Sequence, residues 1–254
     1  MNTSALPPAI IRAATLIGSA RYLTVLTGAG ISKESGVPTF RDALDGLWAR
    51  YDPQQLATPD AFRADPGLVW RWYADRHRLI EAVQPNPAHY ALVELEEIVP
   101  QVVVITQNID GLHRRAGSTE VVALHGNIHE FKCSADCQGD PTLVDVPNWA
   151  DLSEPPPCPH CGALLRPNII WFGEPLPTVA LERAVEAAQL AEVMLVIGTS
   201  GLVSPAAQLP ALAKDSGAVL IDLNSARDSI TTIADLFIQE AAGIALPMIV
   251  QAMR

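Results

Sequence analysis

With 254 residues, 49% of them apolar, the chain is long enough to bury a substantial core and too apolar to remain disordered. Its formal net charge of −11 argues against nucleic acid as a partner, since phosphate binding needs clustered Lys and Arg; the acidity suits a basic peptide partner and equally serves solubility alone. No apolar stretch reaches the ~18 residues that a membrane span needs, and residues 1–6 lack a basic region leading into an apolar run, so a cytoplasmic protein without membrane attachment is expected.

Short, almost continuously apolar runs predict strands over 22–27, 102–106, 121–124, 193–197, 218–223 and 235–238. Helical patterns over 66–83, 87–98, 178–191 and 205–216 fall largely between them. Alternating strands and helices predict an α/β fold with a doubly wound, Rossmann-like parallel sheet. Residues 38–82 and 126–167 interrupt the alternation and read as insertions forming a smaller lobe.

Three predicted strands end in polar or glycine-rich segments, and ligands bind beyond the carboxyl ends of strands in such sheets. The first runs into Gly28-Ala29-Gly30-Ile31-Ser32, followed by Gly36-Val37-Pro38-Thr39-Phe40-Arg41. Glycines there let backbone approach a pyrophosphate, or simply permit positive φ. The second ends in Gln107-Asn108-Ile109-Asp110-Gly111-Leu112-His113, whose side chains suit a ribose or carboxamide, or a capped turn. The third ends in His125-Gly126-Asn127, where an imidazole is either structural or a general base.

The four cysteines, Cys133, Cys137, Cys158 and Cys161, form two close pairs in one short region. In a reducing compartment this arrangement predicts a tetrahedral structural Zn²⁺ site rather than disulfides. His160 and His129 are weaker candidates as ligands. A two-part organisation follows: residues 1–37, 84–125 and 168–254 as the sheet domain, and 38–83 with 126–167 as a helical module plus zinc ribbon.

On the helix predicted over 66–83, positions 69, 72, 73, 76, 79 and 80 form one stripe: Val, Trp, Tyr, Arg, Leu and Ile. Arg76 interrupts this apolar face. It therefore snorkels, pairs with an acid such as Asp75, or waits for an anionic ligand.

Taken together, Gly28-Ala29-Gly30-Ile31-Ser32, Gly36-Val37-Pro38-Thr39-Phe40-Arg41, Thr106-Gln107-Asn108-Ile109-Asp110, His113 with Ala116-Gly117, Leu124-His125-Gly126 and Gly198-Thr199-Ser200 stand in the order and spacing of sirtuins. The chain resembles a compact sirtuin core from about Ile11 to its last helix. The resemblance implies that NAD is co-substrate, contacted by Gly28, Ala29, Gly30, Phe40, Arg41, Gln107, Asn108, Ile109, Asp110, Gly198, Thr199, Ser200, Asn224 and Ala242. It implies catalytic roles for His125, as general base, and for Asn108. In the sirtuin mechanism that this resemblance implies, the acyl oxygen of the substrate attacks C1′ of the nicotinamide ribose, nicotinamide leaves, and the base activates a ribose hydroxyl. That hydroxyl attacks the resulting imidate, and addition of one water releases free lysine and O-acyl-ADP-ribose. Sirtuins also carry a zinc ribbon, usually with a Cys-x2-Cys first pair where this chain has one extra residue.

Phe172, Gly173 and Glu174 on one side, and Val203 on the other, resemble the edges that clamp an acyl-lysine peptide or protein as an added strand. Tyr73 and Arg76 resemble the Tyr-x-x-Arg pair with which class III sirtuins hold the carboxylate of succinyl- or malonyl-lysine, and Thr39 also resembles that branch. The expected activity is therefore NAD-dependent desuccinylation or demalonylation, with deacetylation retained. A protein mono-ADP-ribosyltransferase and a non-catalytic NAD or ADP-ribose-binding module are the competing readings. The sequence is silent on oligomeric state.

Overall fold

The computed structural model describes residues 6–38 and 52–254. Helix α1 (Pro8–Ser19) starts on a proline and buries Ile10, Ala13, Ala14 and Ile17, the i, i+3, i+4, i+7 face of an amphipathic helix. Strand β1 (Tyr22–Thr27) is buried at all but its first position, and a tight helical segment, Ala29–Ser35, follows it. Three helices come next: α2 (Pro53–Leu56), α3 (Pro59–Ala64) and α4 (Pro66–Glu81). Thr58 and Asp65 cap the last two by accepting from the Ala61 and Leu68 amides at 3.1 and 2.9 Å. Helix α5 (Pro87–Ile98) begins in a reciprocal cap between Asn86 and His89. The chain continues through β2 (Gln101–Thr106), α6 (Leu112–Ala116), β3 (Val121–Ala123), β4 (Gly126–Cys133), β5 (Leu165–Ile169), α7 (Thr178–Leu190), β6 (Val193–Ile197), α8 (Leu209–Asp215), β7 (Val219–Asn224), β8 (Leu236–Gln239) and α9 (Ala242–Met253).

Six strands make a parallel sheet in the order β3-β2-β1-β6-β7-β8, the doubly wound arrangement expected. Side chains alternate across it. Leu23, Val25, Leu195, Ile197, Ile221 and Leu223 pack with α1, α5 and α9; Leu26, Ile105, Met194, Val196 and Leu220 face α7 and α8. Both faces are covered, which is why these strands read as continuous apolar runs. The winding reverses between β1 and β6, and this is the crevice where such sheets bind ligands.

A second sheet, absent from the sequence reading, pairs β4 with β5 antiparallel from Gly126↔Ile169 to Cys133↔Leu165. Its strands carry polar residues, and the register shifts between Asn127 and Phe131, so no clean alternation marks them. The helix expected over 205–216 is divided: a 3-10 turn, Ala206–Gln208, precedes α8, which restarts around Pro210. Proline lacks the amide to continue a helix but suits a first turn. On α4, Val69, Trp72, Tyr73, Arg76 and Ile80 are buried as expected. Leu79 is 48% exposed. At about 100° per residue it lies well off the centre of that stripe. Among the described residues, no helix is long and apolar enough to cross a membrane.

Candidate active site at the sheet switch point

The ends of β1 and β6 pass so close that a side chain has no room. Gly28 donates its amide to Ile197 O at 3.0 Å and Gly30 to Gly198 O at 2.8 Å. A Cβ on Gly30 would lie 2.6 Å from the Gly198 Cα, and one on Gly28 2.8 Å from the Thr199 Cα. Neither glycine has positive φ, whereas Gly198 does, at +59°. The demand for glycine at 28 and 30 therefore comes from contact between two loops. Gly30→Ala is expected to destabilise the protein by about 1–3 kcal/mol, the usual cost of overpacking. Unchanged thermal and denaturant midpoints would show that the loops can separate freely.

Beyond β2 the polar side chains brace this crevice. Gln107 donates from Nε2 to Thr199 Oγ1 at 2.9 Å. Asn108 donates from Nδ2 to Gly28 O and Ser32 Oγ, both at 3.1 Å. Asp110 is buried and accepts from Ser32 Oγ at 2.7 Å and from the Leu112 amide at 2.9 Å. Burial raises the pKa of Asp110, and those two hydrogen bonds oppose the rise. Ile109, half-buried, accepts the Ile128 amide through its carbonyl at 2.9 Å, joining the loop to β4. The Ser32 hydroxyl, unmarked in the sequence beyond its place in the Gly28–Ser32 motif, is the hub joining Asn108 to Asp110.

His125 is half-buried just after β3, and its Nδ1 lies 2.9 Å from the Gln107 carbonyl oxygen. A carbonyl only accepts, so the neutral ring carries its proton on Nδ1 and leaves the Nε2 lone pair available. Burial lowers its pKa below the ordinary histidine value, more than the Gln107 contact raises it. His113 is an internal residue by contrast. It is 2% exposed, lies 3.0 Å from Thr27 Oγ1, and is pushed down to about 3, first by burial and then by His89.

Towards the other end of the crevice, Asn224, at the end of β7, donates from Nδ2 to Thr199 O at 3.0 Å and Asp228 Oδ2 at 2.9 Å. Ser200 follows Thr199 on the same loop. Ala242 opens α9, and the neighbouring Gly243 amide donates to Glu34 Oε2 at 2.7 Å. Phe40 and Arg41, expected NAD contacts, and Thr39 lie outside the described residues. These hydroxyl, amide and carboxylate groups at the carboxyl ends of β1, β2, β6 and β7 form a donor and acceptor set suited to a dinucleotide.

A second group adjoins His125 through β5. The Ile170 amide bonds to His125 O at 3.0 Å, and the next residue, Trp171, donates from its indole to the Tyr73 hydroxyl at 2.9 Å. Tyr73 thereby keeps its own hydrogen to donate, and burial raises its pKa above the usual tyrosine range. Arg76, one turn along α4, is 5% exposed, with its guanidinium carbon 5.1 Å from the centre of the Trp72 ring. Burial lowers its pKa, and Tyr73 opposes the shift. Asp75, offered as a partner for Arg76, makes an ion pair with Arg78. Glu174 holds Arg166 through both oxygens, at 2.5 and 2.8 Å, and accepts the Trp171 amide at 2.8 Å. Its carboxylate is thus engaged in fixing the turn. Phe172 is exposed, Gly173 has φ +90° with open space around it, and Val203 is 37% exposed.

The cysteines converge as expected. All four sulfurs lie within 4.8 Å of one another, with Cys133 and Cys161 at 3.5 Å and Cys137 and Cys158 at 3.9 Å. Zinc–sulfur bonds of about 2.3 Å in a tetrahedron require separations of about 3.8 Å, so the cluster fits Zn²⁺. The extra residue in the first pair is absorbed by Asp136, which takes a positive φ of 44°. His160 is exposed and outside the cluster, and His129 lies elsewhere. Metal analysis of purified protein is expected to find at least one zinc per chain. Cys158→Ser or strong chelation should remove it and lower the unfolding temperature, because the metal organises this end of the β4–β5 sheet. An unchanged unfolding temperature after verified zinc loss would contradict a structural role.

The Sir2 family model matches residues 28–205, more than half of the chain. An NAD-dependent protein deacylase 2 from Pyrobaculum aerophilum is 52% identical over 242 residues, covering 95% of this chain and 94% of that protein. A Sir2 homolog–NAD complex superposes with a TM-score of 0.89 at 41% identity, covering 100% of this chain and 96% of the other. A Sir2 protein bound to a deacetylated p53 peptide and 3′-O-acetyl ADP-ribose superposes with a TM-score of 0.82 at 36% identity, covering 94% and 96%. By sequence, by its doubly wound sheet with a four-cysteine zinc cluster, and by the polar crevice at the switch point, the chain belongs to the Sir2 family of NAD-dependent protein deacylases.

Proposed function

We propose that this chain removes acyl groups from lysine side chains in peptides or proteins, that His125 is its general base, and that it prefers acyl groups ending in a carboxylate. The observation carrying the base assignment is the 2.9 Å contact between His125 Nδ1 and the Gln107 carbonyl. It directs the basic nitrogen away from the backbone and leaves it the one ring position able to take a proton from a ribose hydroxyl. When bound, NAD supplies an activated ribose carbon that accepts the acyl oxygen as nicotinamide leaves.

Asn108, braced by Gly28 and Ser32, keeps its amide oxygen to orient a polar group at that sugar. Gly28, Ala29, Gly30, Gln107, Ile109, Asp110, Gly198, Thr199, Ser200, Asn224 and Ala242 contact the dinucleotide, and the family resemblance adds Phe40 and Arg41, which lie outside the described residues. Phe172, Gly173, Glu174 and Val203 hold the peptide, Glu174 through its backbone because its carboxylate is occupied by Arg166. Tyr73 and Arg76 present a hydroxyl and a buried cation on one face of α4, where an acyl carboxylate finds charge-assisted bonds.

The test is mass spectrometry after incubation with NAD and matched acetyl-, malonyl- and succinyl-lysine peptides. Free lysine together with O-acyl-ADP-ribose is expected, fastest from the two acidic acyl groups. Radiolabel from NAD retained on protein would instead indicate a mono-ADP-ribosyltransferase. Binding of NAD without turnover of any peptide would indicate a non-catalytic binding module.

A further inference from the structure

Three ligand-type side chains meet outside the crevice and the cysteine cluster. His77 and Glu81 stand one turn apart on α4, and His129 projects from β4. His77 Nε2 is 3.1 Å from His129 Nδ1; Glu81 Oε1 is 3.1 Å from His129 Nδ1 and 3.5 Å from His77 Nε2. A tetrahedral cation about 2.0–2.1 Å from each of three nitrogen or oxygen ligands sets neighbouring ligand atoms about 3.3–3.4 Å apart. The observed edges bracket that spacing.

Proton positions point the same way. His129 Nε2 lies 3.2 Å from the carbonyl oxygen of Asp110, which only accepts, so that nitrogen carries the hydrogen and donates. In the neutral ring Nδ1 is then a bare lone pair facing a carboxylate at 3.1 Å. With both rings neutral, the His77 Nε2–H is the one proton available to the triangle, so one contact sets two acceptors together, and a metal cation or a further proton on His129 would relieve it. An outward N–H bonded to a backbone carbonyl is also how ligating histidines are commonly oriented. Packing holds both rings: that of His77 lies 4.6 Å from Trp149, and a Cβ on Gly111 would come within 3.3 Å of His129 Cδ2. The Glu81 side chain is 55% exposed, giving a cation an entry path and a place for a water ligand.

We infer that His77, Glu81 and His129 form a second metal site, for a borderline divalent cation such as Zn²⁺, separate from the four cysteines. It ties α4, which carries Tyr73 and Arg76, to β4 and to the backbone of Asp110. The test uses full-length protein with its cysteine site already zinc-loaded, titrated with Zn²⁺ by calorimetry and with Co²⁺ by absorption spectroscopy. A saturable second equivalent is expected, whose cobalt form lacks thiolate-to-metal charge-transfer bands. His77→Ala, His129→Ala and Glu81→Gln should each weaken it at least tenfold while the cysteine-bound zinc stays. Glu81→Gln alters an exposed side chain, so a folding defect is not a rival account of its effect. Saturation at one metal per chain, a second equivalent unaffected by all three substitutions, or added cobalt showing thiolate bands would overturn the site.

Discussion

Replacing His125 with alanine is expected to lower deacylation by at least about 10²-fold, the range for loss of a positioned general base, with the fold intact. The ring is half-buried beside the sheet and, among the described residues, makes one hydrogen bond, to Gln107, so its removal should shift the unfolding temperature little. Binding of NAD should survive, because the crevice is braced by Gln107, Asn108, Asp110 and Thr199 independently of the imidazole. The pH profile sharpens this prediction. Burial depresses the His125 pKa below 6.5, so protonation, and with it loss of the base, occurs at lower pH than for a free imidazole. The efficiency kcat/KM should therefore hold through neutral pH and fall only as pH drops through the depressed value. The His125→Ala variant should lack that acidic limb. Turnover within a few-fold of the parent, or an unchanged acidic limb in the variant, would remove His125 from the mechanism.

The second large effect is expected on acyl preference. Arg76→Met keeps length and apolar bulk while deleting the cation on the buried face of α4. Losing one partner of a buried, hydrogen-bonded charge pair typically costs about 2–5 kcal/mol, and 2 kcal/mol is roughly 30-fold in an equilibrium or rate. The variant should therefore turn over succinyl- and malonyl-lysine peptides at least about 30-fold less efficiently, with acetyl-lysine peptide much less affected. Tyr73→Phe should act in the same direction more weakly. It removes the hydroxyl hydrogen that Tyr73 retains while accepting from Trp171, and strands the Trp171 indole donor as well. Equal efficiencies on acetyl and succinyl peptides, unmoved by Arg76→Met, would mean that the guanidinium serves α4 alone.

Much of this architecture was legible in the chain because its signals are local. Parallel strands covered on both faces produce unbroken apolar runs, and the runs at 22–27 and 193–197 coincide with β1 and β6. Four cysteines in two pairs carry their ligand chemistry in residue type and spacing, and they converge as expected. The motif order around Gly28, Gln107, His125 and Gly198 marks the same strand ends that line the crevice. The β4–β5 sheet was hidden because its residues are mixed and its register shifts, so period-two alternation fails there. The buried face of α4 was readable as a stripe, apart from Leu79 at its edge.

Periodicity and residue type indicated the layer architecture and the zinc cluster, and the resemblance of the motif order to sirtuins indicated the family, because each of these signals is written in short segments of chain. Contacts across long separations were decided by the tertiary structure: Ser32 with Asp110, 78 residues apart; Glu34 with Gly243, 209 apart; and the His77–His129 pair, 52 apart. Which side chains meet there depends on sheet order and helix placement, and a hydrogen bond or metal triangle tolerates errors of only a few tenths of an ångström. The same packing made Gly28 and Gly30 obligatory by setting them against Gly198 and Thr199, a constraint that no local pattern encodes.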